Sequence, residues 1–277
     1  MLVTIDTGGT KTLVASFGRD GKIIDSVKFP TPHDPTEYVK LVKETVRERY
    51  AEEKVDAIVL ALPGIGIKNG IAKWCPNLGW KDFDAKKRLG SILPGVPFLL
   101  ENDANLAGLS EARGLKTTPH SVLYVTISTG IGSAIITDGH INMGMRDSEA
   151  GRALVEYDGK IRQWEHFASG RVIVQVYKKF ASDITSKRTW RQIADRISRG
   201  FLAVIPIIQP DVIIIGGSIG TYFDRYSEYL ENEIRSHLPP YIPCPKIKRA
   251  RHPEEAVIYG CYYYGTDYLS SQTTKKR

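Results

Sequence analysis

The chain has 277 residues, 42% hydrophobic and 25% charged, the composition of an ordinary soluble globular protein with one large or two medium domains. No stretch approaches the roughly 18 apolar residues that span a bilayer, and Asp6 breaks the first apolar run too early for a secretory signal. The formal charge of +7 draws in part on residues 246–252 and 275–277. Neither cluster is interleaved with aromatics, so it suits anionic small molecules such as ATP or polyphosphate better than nucleic acid.

Strands are predicted at residues 2–5, 13–17 and 23–28, forming an antiparallel meander with Asp20-Gly21 as its second turn. Between the first two lies Asp6-Thr7-Gly8-Gly9-Thr10-Lys11-Thr12, a turn of glycine and hydroxyl residues. Glycine lets backbone N–H groups come close to a ligand, and such a concave turn suits phosphate. Residues 36–53 carry Val39, Val42, Val46 and Tyr50 at helical spacing. Residues 57–62 are almost wholly apolar, as in a buried parallel strand, and Pro63-Gly64 turns the chain. An irregular loop is expected at 73–80. Another buried strand, 97–100, runs into Glu101-Asn102-Asp103-Ala104-Asn105, where Asn102 or Asp103 can cap a helix at 104–113. Gly114 closes that helix, and 116–120 reads as a linker.

The theme then repeats. A hairpin over 121–136 holds Ser128-Thr129-Gly130-Ile131-Gly132-Ser133, a second candidate phosphate turn. Residues 141–157 read as loop with short strands, followed by helices at 169–182 and 189–208. A buried strand at 211–215 ends in Gly216-Gly217-Ser218. A helix at 223–236, a short strand at 246–248 and a final helix at 253–269 complete the chain. Strands alternating with helices, repeated once, predict an α/β fold of two related domains, 1–115 and 116–277, with the final helix able to pack back on the first. Ligands of open α/β sheets bind outside the carboxyl ends of the strands, so the turns are expected to converge on an interdomain cleft. Three scattered cysteines, Cys75, Cys244 and Cys261, form no metal spacing and no even disulfide set, and a cytoplasmic setting is expected.

A carboxylate at Asp103, after a buried strand and facing a phosphate site, can accept a proton from a hydroxyl that attacks phosphorus. Asn102 offers a donor and an acceptor, the pair that a sugar diol needs.

These motifs, with Leu62-Pro63-Gly64, Pro76-Asn77-Leu78-Gly79-Trp80, Ser148-Glu149-Ala150-Gly151-Arg152, Trp164-Glu165 and Ala168-Ser169-Gly170, resemble the ROK family of repressors, uncharacterised reading frames and sugar kinases. That family lies within the actin/hexokinase/Hsp70 superfamily of ribonuclease-H-like domains. The resemblance implies a hexokinase or glucokinase that transfers the γ-phosphoryl of ATP to a hexose 6-hydroxyl, with Asp103 as base. By it, Asn77, Asn102, Glu149, Arg152 and Glu165 would meet the sugar. Gly8, Gly9, Thr10, Lys11, Thr129, Gly130 and Gly132 would hold phosphates. Gly216 and Gly217 would approach the nucleoside, and Asp6 would lie near Mg²⁺, directly or through water. It also implies a homodimer.

Two positions depart from the family pattern. Relatives carry a histidine and a cysteine cluster that hold zinc. Here Arg152 replaces the histidine and residues 159–165 contain no cysteine, so no structural zinc is expected and Trp164 and Phe167 must hold the segment by packing. Ser133-Ala134 stands where ATP-using relatives often have glycine, a feature shared with polyphosphate glucokinases. A polyphosphate donor, an N-acyl-hexosamine or sugar-acid acceptor, and a non-catalytic sensor are the alternatives. Family repressors carry a winged helix-turn-helix ahead of the first phosphate strand, whereas here that strand begins at Leu2.

Overall fold

A computed structural model describes residues 1–252 and 255–274. The chain divides into two compact units, one of residues 1–110 with residues from Val257 onward, the other Glu111–Ala256.

The first unit holds a five-stranded sheet in the order Ile23–Pro30, Lys11–Phe17, Leu2–Thr7, Ala57–Leu62, Phe98–Asn102. The first three run antiparallel, and the last two join Leu2–Thr7 in parallel. Alternation along the strands sends Val3, Ile5 and Val14 to one face, against Tyr38, Val42 and Val46 of the helix Pro35–Tyr50. Leu2, Ala15 and Phe17 face the other way, against Ile258 of the helix Ala256–Thr274. Ala57–Leu62 is buried throughout because both faces are covered. Asp34 starts the first helix, its carboxylate accepting from the N–H groups of Thr36 and Glu37 at 2.8 and 2.9 Å.

The second unit repeats the plan. Its sheet runs His140–Ile141, Ile131–Thr137, Ser121–Ile127, Val212–Gly216, Lys246–Arg249. Leu123, Val125, Ile213 and Ile215 meet Ile193, Ile197 and Phe201 of the helix Lys187–Ile208, and Leu230 and Ile234 of the helix Ser227–His237.

Two expectations need correction. Of residues 73–80 only 76–79 are a loop. Ile65–Lys68, Ile71–Cys75 and Trp80–Asp84 form a three-stranded antiparallel sheet, followed by the helix Ala85–Leu89. Trp80 and Phe83 fix it by packing on Tyr38, with Trp80 ring centroids 4.8 Å from both partners. The expected helix 169–182 ends at Tyr177, because Lys178 takes a left-handed conformation at φ 54°. Residues 141–157 are loop with short strands, as expected, and the last strand, Leu154–Tyr157, forms a hairpin with Lys160–Gln163, turned by Asp158 and Gly159 at φ 52° and 70°. The predicted start of the final helix at 253 and the basic tail 275–277 lie outside the described residues. Among the described residues no helix is long and apolar enough to cross a membrane.

Candidate functional site

The first unit places Asp6 and Asp103 at the same end of its sheet, on either side of the strand Ala57–Leu62 and close enough for the Asp6 charge to act on Asp103. Asp6 is in the strand Leu2–Thr7, and Asp103 opens the helix Asp103–Arg113 directly after Phe98–Asn102. The cap of that helix is Asn102. Its Oδ1 accepts from the Asn105 N–H at 3.1 Å, and its Nδ2 donates to the Gly64 carbonyl at 2.8 Å. Glu101, fully buried, supports the turn by accepting from the Asn102 N–H at 2.9 Å and from Asn105 Nδ2 at 3.0 Å. Asp103 is thereby released from capping the helix. Its carboxylate accepts from the Ala104 N–H at 2.8 Å and from its own backbone N–H.

Electrostatics separate this carboxyl from an ordinary one. Burial, with the Asp6 charge adding to it, pushes Asp103 up to about 7. Burial likewise pushes Asp6 up to about 6, against the opposing pull of Lys28. A divalent cation would relieve the Asp6 charge. A magnesium ion needs only one or two protein carboxylates beside substrate phosphates and water, so Asp6 fits that role.

The first glycine turn is braced from outside. The Gly8 N–H donates to the Lys11 carbonyl at 2.9 Å, and Thr31 Oγ1 donates to the Gly8 carbonyl at 2.9 Å. Thr7 and Thr12 hydroxyls are engaged by Tyr38 and Thr31 at 2.7 and 2.9 Å, leaving Thr10 and Lys11 as the exposed polar side chains of the turn. Asn77 joins them: a Cβ on Gly9 would stand 3.1 Å from the Asn77 Cβ.

In the second unit the turn is closed by the Ser128 N–H donating to the Gly130 carbonyl at 2.9 Å, with Thr129 exposed and Gly132 paired with Thr126 in the ladder. Glu165 reaches this turn. Its Oε2 accepts from the Ile131 N–H at 3.3 Å and lies 2.7 Å from where a Cβ on Gly130 would sit. Glu149 is approached by Arg152, whose Nε is 4.0 Å from its Oε2, and Arg152 remains 40% exposed. Ser133, named in the sequence only as a departure, is tied to the Glu149 segment. Its hydroxyl donates to the Ser148 carbonyl at 3.2 Å and accepts from the Ala150 N–H at 3.0 Å.

Gly216 and Gly217 have a packing reason that involves no ligand. Gly217 sits at φ 77°, where a Cβ would be 2.6 Å from the Ile127 carbonyl, and Gly216 abuts the Tyr124 ring. Beside them a cavity of about 570 Å³ is lined by Ser128, Thr129, Arg171, Phe180, Ser218 and Tyr222, among others. Phe180 and Tyr222 were not singled out from sequence. Phe180 lies just beyond the early end of the helix Gly170–Tyr177, which leaves it 67% exposed.

The segment between Arg152 and Glu165 is held by aromatic packing. Tyr157 stacks on Phe167 at 4.6 Å with parallel rings, Arg196 lies 5.0 Å over Tyr157, and Trp164 is fully buried against Phe201. Among the described residues no group of three or more His, Cys, Asp or Glu side chains could hold a metal.

The chain is similar to known proteins. The sequence model of the ROK family matches residues 2–265. The glucokinase of Thermotoga maritima is 27% identical over 284 residues, covering 87% of this chain and 88% of its own length. The crystal structure of a ROK hexokinase from Thermus thermophilus is 27% identical, with a TM-score of 0.77 over 96% of this chain and 99% of that one. An inorganic polyphosphate/ATP-glucomannokinase from Arthrobacter sp. strain KM is also 27% identical, with a TM-score of 0.70 over 96% of this chain and 98% of its own. The fold is the actin-like ATPase fold of ROK sugar kinase structures.

Proposed function

The chain belongs to the ROK family, and from that premise we propose that it transfers the γ-phosphoryl of ATP to the 6-hydroxyl of glucose or a related hexose. The observation that carries this reading is Asp103, a carboxyl pushed up to about 7 at the end of the strand Phe98–Asn102, where Asn102 caps the following helix in its stead. A base titrating near neutrality is matched to taking a hydroxyl proton as the oxygen attacks phosphorus.

The Asp103 carboxylate takes the proton of the sugar 6-hydroxyl while the sugar oxygen bonds to the γ-phosphorus and ADP leaves. Asn102 keeps an Nδ2–H beyond its bond to Gly64 for a neighbouring hydroxyl. Asn77, Glu149 and Glu165 hold the remaining hydroxyls, where carboxylates form strong charge-assisted bonds. Backbone N–H groups of the two glycine turns, with Thr10, Lys11 and Thr129, hold the phosphates. Asp6 would hold Mg²⁺, directly or through water, and the ion would neutralise charge on the phosphates. The cavity beside Thr129, with Phe180 and Tyr222 in its wall, would take the nucleoside, which supports ATP over polyphosphate as donor.

Arg152 favours a second reading of the acceptor. It is 40% exposed and among the described residues its one ion pair is at 4.0 Å, so its guanidinium retains donors for a hydroxyl or an acidic group. A coupled kinase screen of hexoses, amino sugars and sugar acids against ATP and polyphosphate tests both. Phosphorylation of glucose with ATP is the expected result, and sugar binding without turnover on any donor would replace the kinase with a sensor. An Arg152→Ala variant should lower sugar-acid turnover more than glucose turnover if the arginine reads an acid. Equal factors for both sugars make it structural.

A further inference from the structure

The Ser133 hydroxyl is bound into the backbone on either side of Glu149. Ser133 is 6% exposed, and its proton and one lone pair engage the backbone at Ser148 and Ala150. Those two groups flank Glu149, so one hydroxyl fixes that carboxylate's segment from both sides. Gly151 extends the same contact: a Cβ there would lie 2.9 Å from the Ile131 Cβ, and the Ile131 carbonyl abuts it. The strand Ile131–Thr137 that carries Ser133 leaves the Thr129-Gly130 turn directly, and its first N–H also holds Glu165 at 3.3 Å. Alanine or glycine at 133 can form neither bond, and both bonds of the buried hydroxyl go to the backbone of the segment that carries Glu149.

We propose that Ser133 is a positioning residue for the sugar, setting the place of Glu149 relative to the phosphate turn; this rests on the reading of Glu149 as a sugar ligand. The difference at this position from glycine-bearing relatives then bears on acceptor affinity and not on the choice of donor.

The test is a kinetic double-mutant cycle of S133A, E149Q and the double variant, with ATP and the hexose that the acceptor screen returns. S133G serves as a second hydroxyl-free variant if S133A does not fold. S133A should raise the sugar KM about tenfold, the expected effect of losing two hydrogen bonds to a buried segment, with the ATP KM within about twofold and the melting temperature little changed. E149Q should also raise the sugar KM, and the double variant should be no worse than E149Q alone. If E149Q raises the sugar KM and S133A does not, or if the two effects multiply, the role of Ser133 fails while Glu149 stands. If E149Q leaves the sugar KM unchanged, Glu149 is not a sugar ligand and the inference falls with it.

Discussion

At Asp103, environment decides chemistry. Replacing it by Asn keeps size and polarity and removes the proton acceptor, so turnover should fall at least about 10²-fold while sugar binding persists. Near-normal turnover would reduce Asp103 to a first-turn helix residue. Because the carboxyl is held up to about 7, kcat/KM for sugar should climb as pH rises toward that value and level off above it. A profile flat from pH 5 to 8 would remove Asp103 from the role of base. The sequence left the cap of this helix open between Asn102 and Asp103. The choice depends on where the strand Phe98–Asn102 ends and on the Gly64 carbonyl that receives Asn102, a contact between segments far apart in the chain.

Among the elements, the two glycine hairpins were plain in the sequence, because β-branched runs on either side of a glycine turn admit few other structures. The sheet of residues 65–84 was not. Its strands are only four or five residues long, carry lysine and aspartate, and owe their order to Trp80 and Phe83 meeting Tyr38. The ties of the second hairpin to Glu165, and of its Ser133 to Ser148 and Ala150, were hidden for the same reason: they cross between elements. The Gly130 geometry yields a specific outcome. In Gly130→Ala the new methyl meets a flexible carboxylate tip, 2.7 Å away, so Glu165 moves and the chain still folds. The sugar KM should rise severalfold with little loss in melting temperature, measured by steady-state kinetics and a thermal scan. Gly217→Ala should behave oppositely. Its φ of 77° and the Ile127 backbone 2.6 Å from the new Cβ leave nothing flexible to give way, so stability should drop by about 1–3 kcal/mol in denaturant unfolding.

Across the whole molecule, the two raised carboxyls affect stability. Asp6 and Asp103 bind protons at about 6 and about 7 in the folded chain, against an ordinary value of 3.8. The folded state therefore holds protons that the unfolded chain has released, and rising pH through that interval costs stability. The ligand-free protein should melt at a higher temperature near pH 5.5 than near pH 8, and Asp103→Asn should narrow the difference. An unchanged difference in that variant would mean that other groups set the dependence.

The stacking of Tyr157 on Phe167 under Arg196 also governs what the protein must be supplied with. Contacts between rings and a guanidinium draw on no trace element and on no reductant. The thiols add little exposure to damage: burial pushes Cys75 up to about 12 and Cys261 well above its usual range, which keeps both protonated and slow to react at neutral pH. Dialysis against a chelator should leave the circular dichroism and melting temperature as they were, and an alkylating reagent should reach the half-buried Cys244 first. The fold should then persist through metal starvation and oxidant exposure, conditions that would strip a zinc-and-thiolate loop of its ligands.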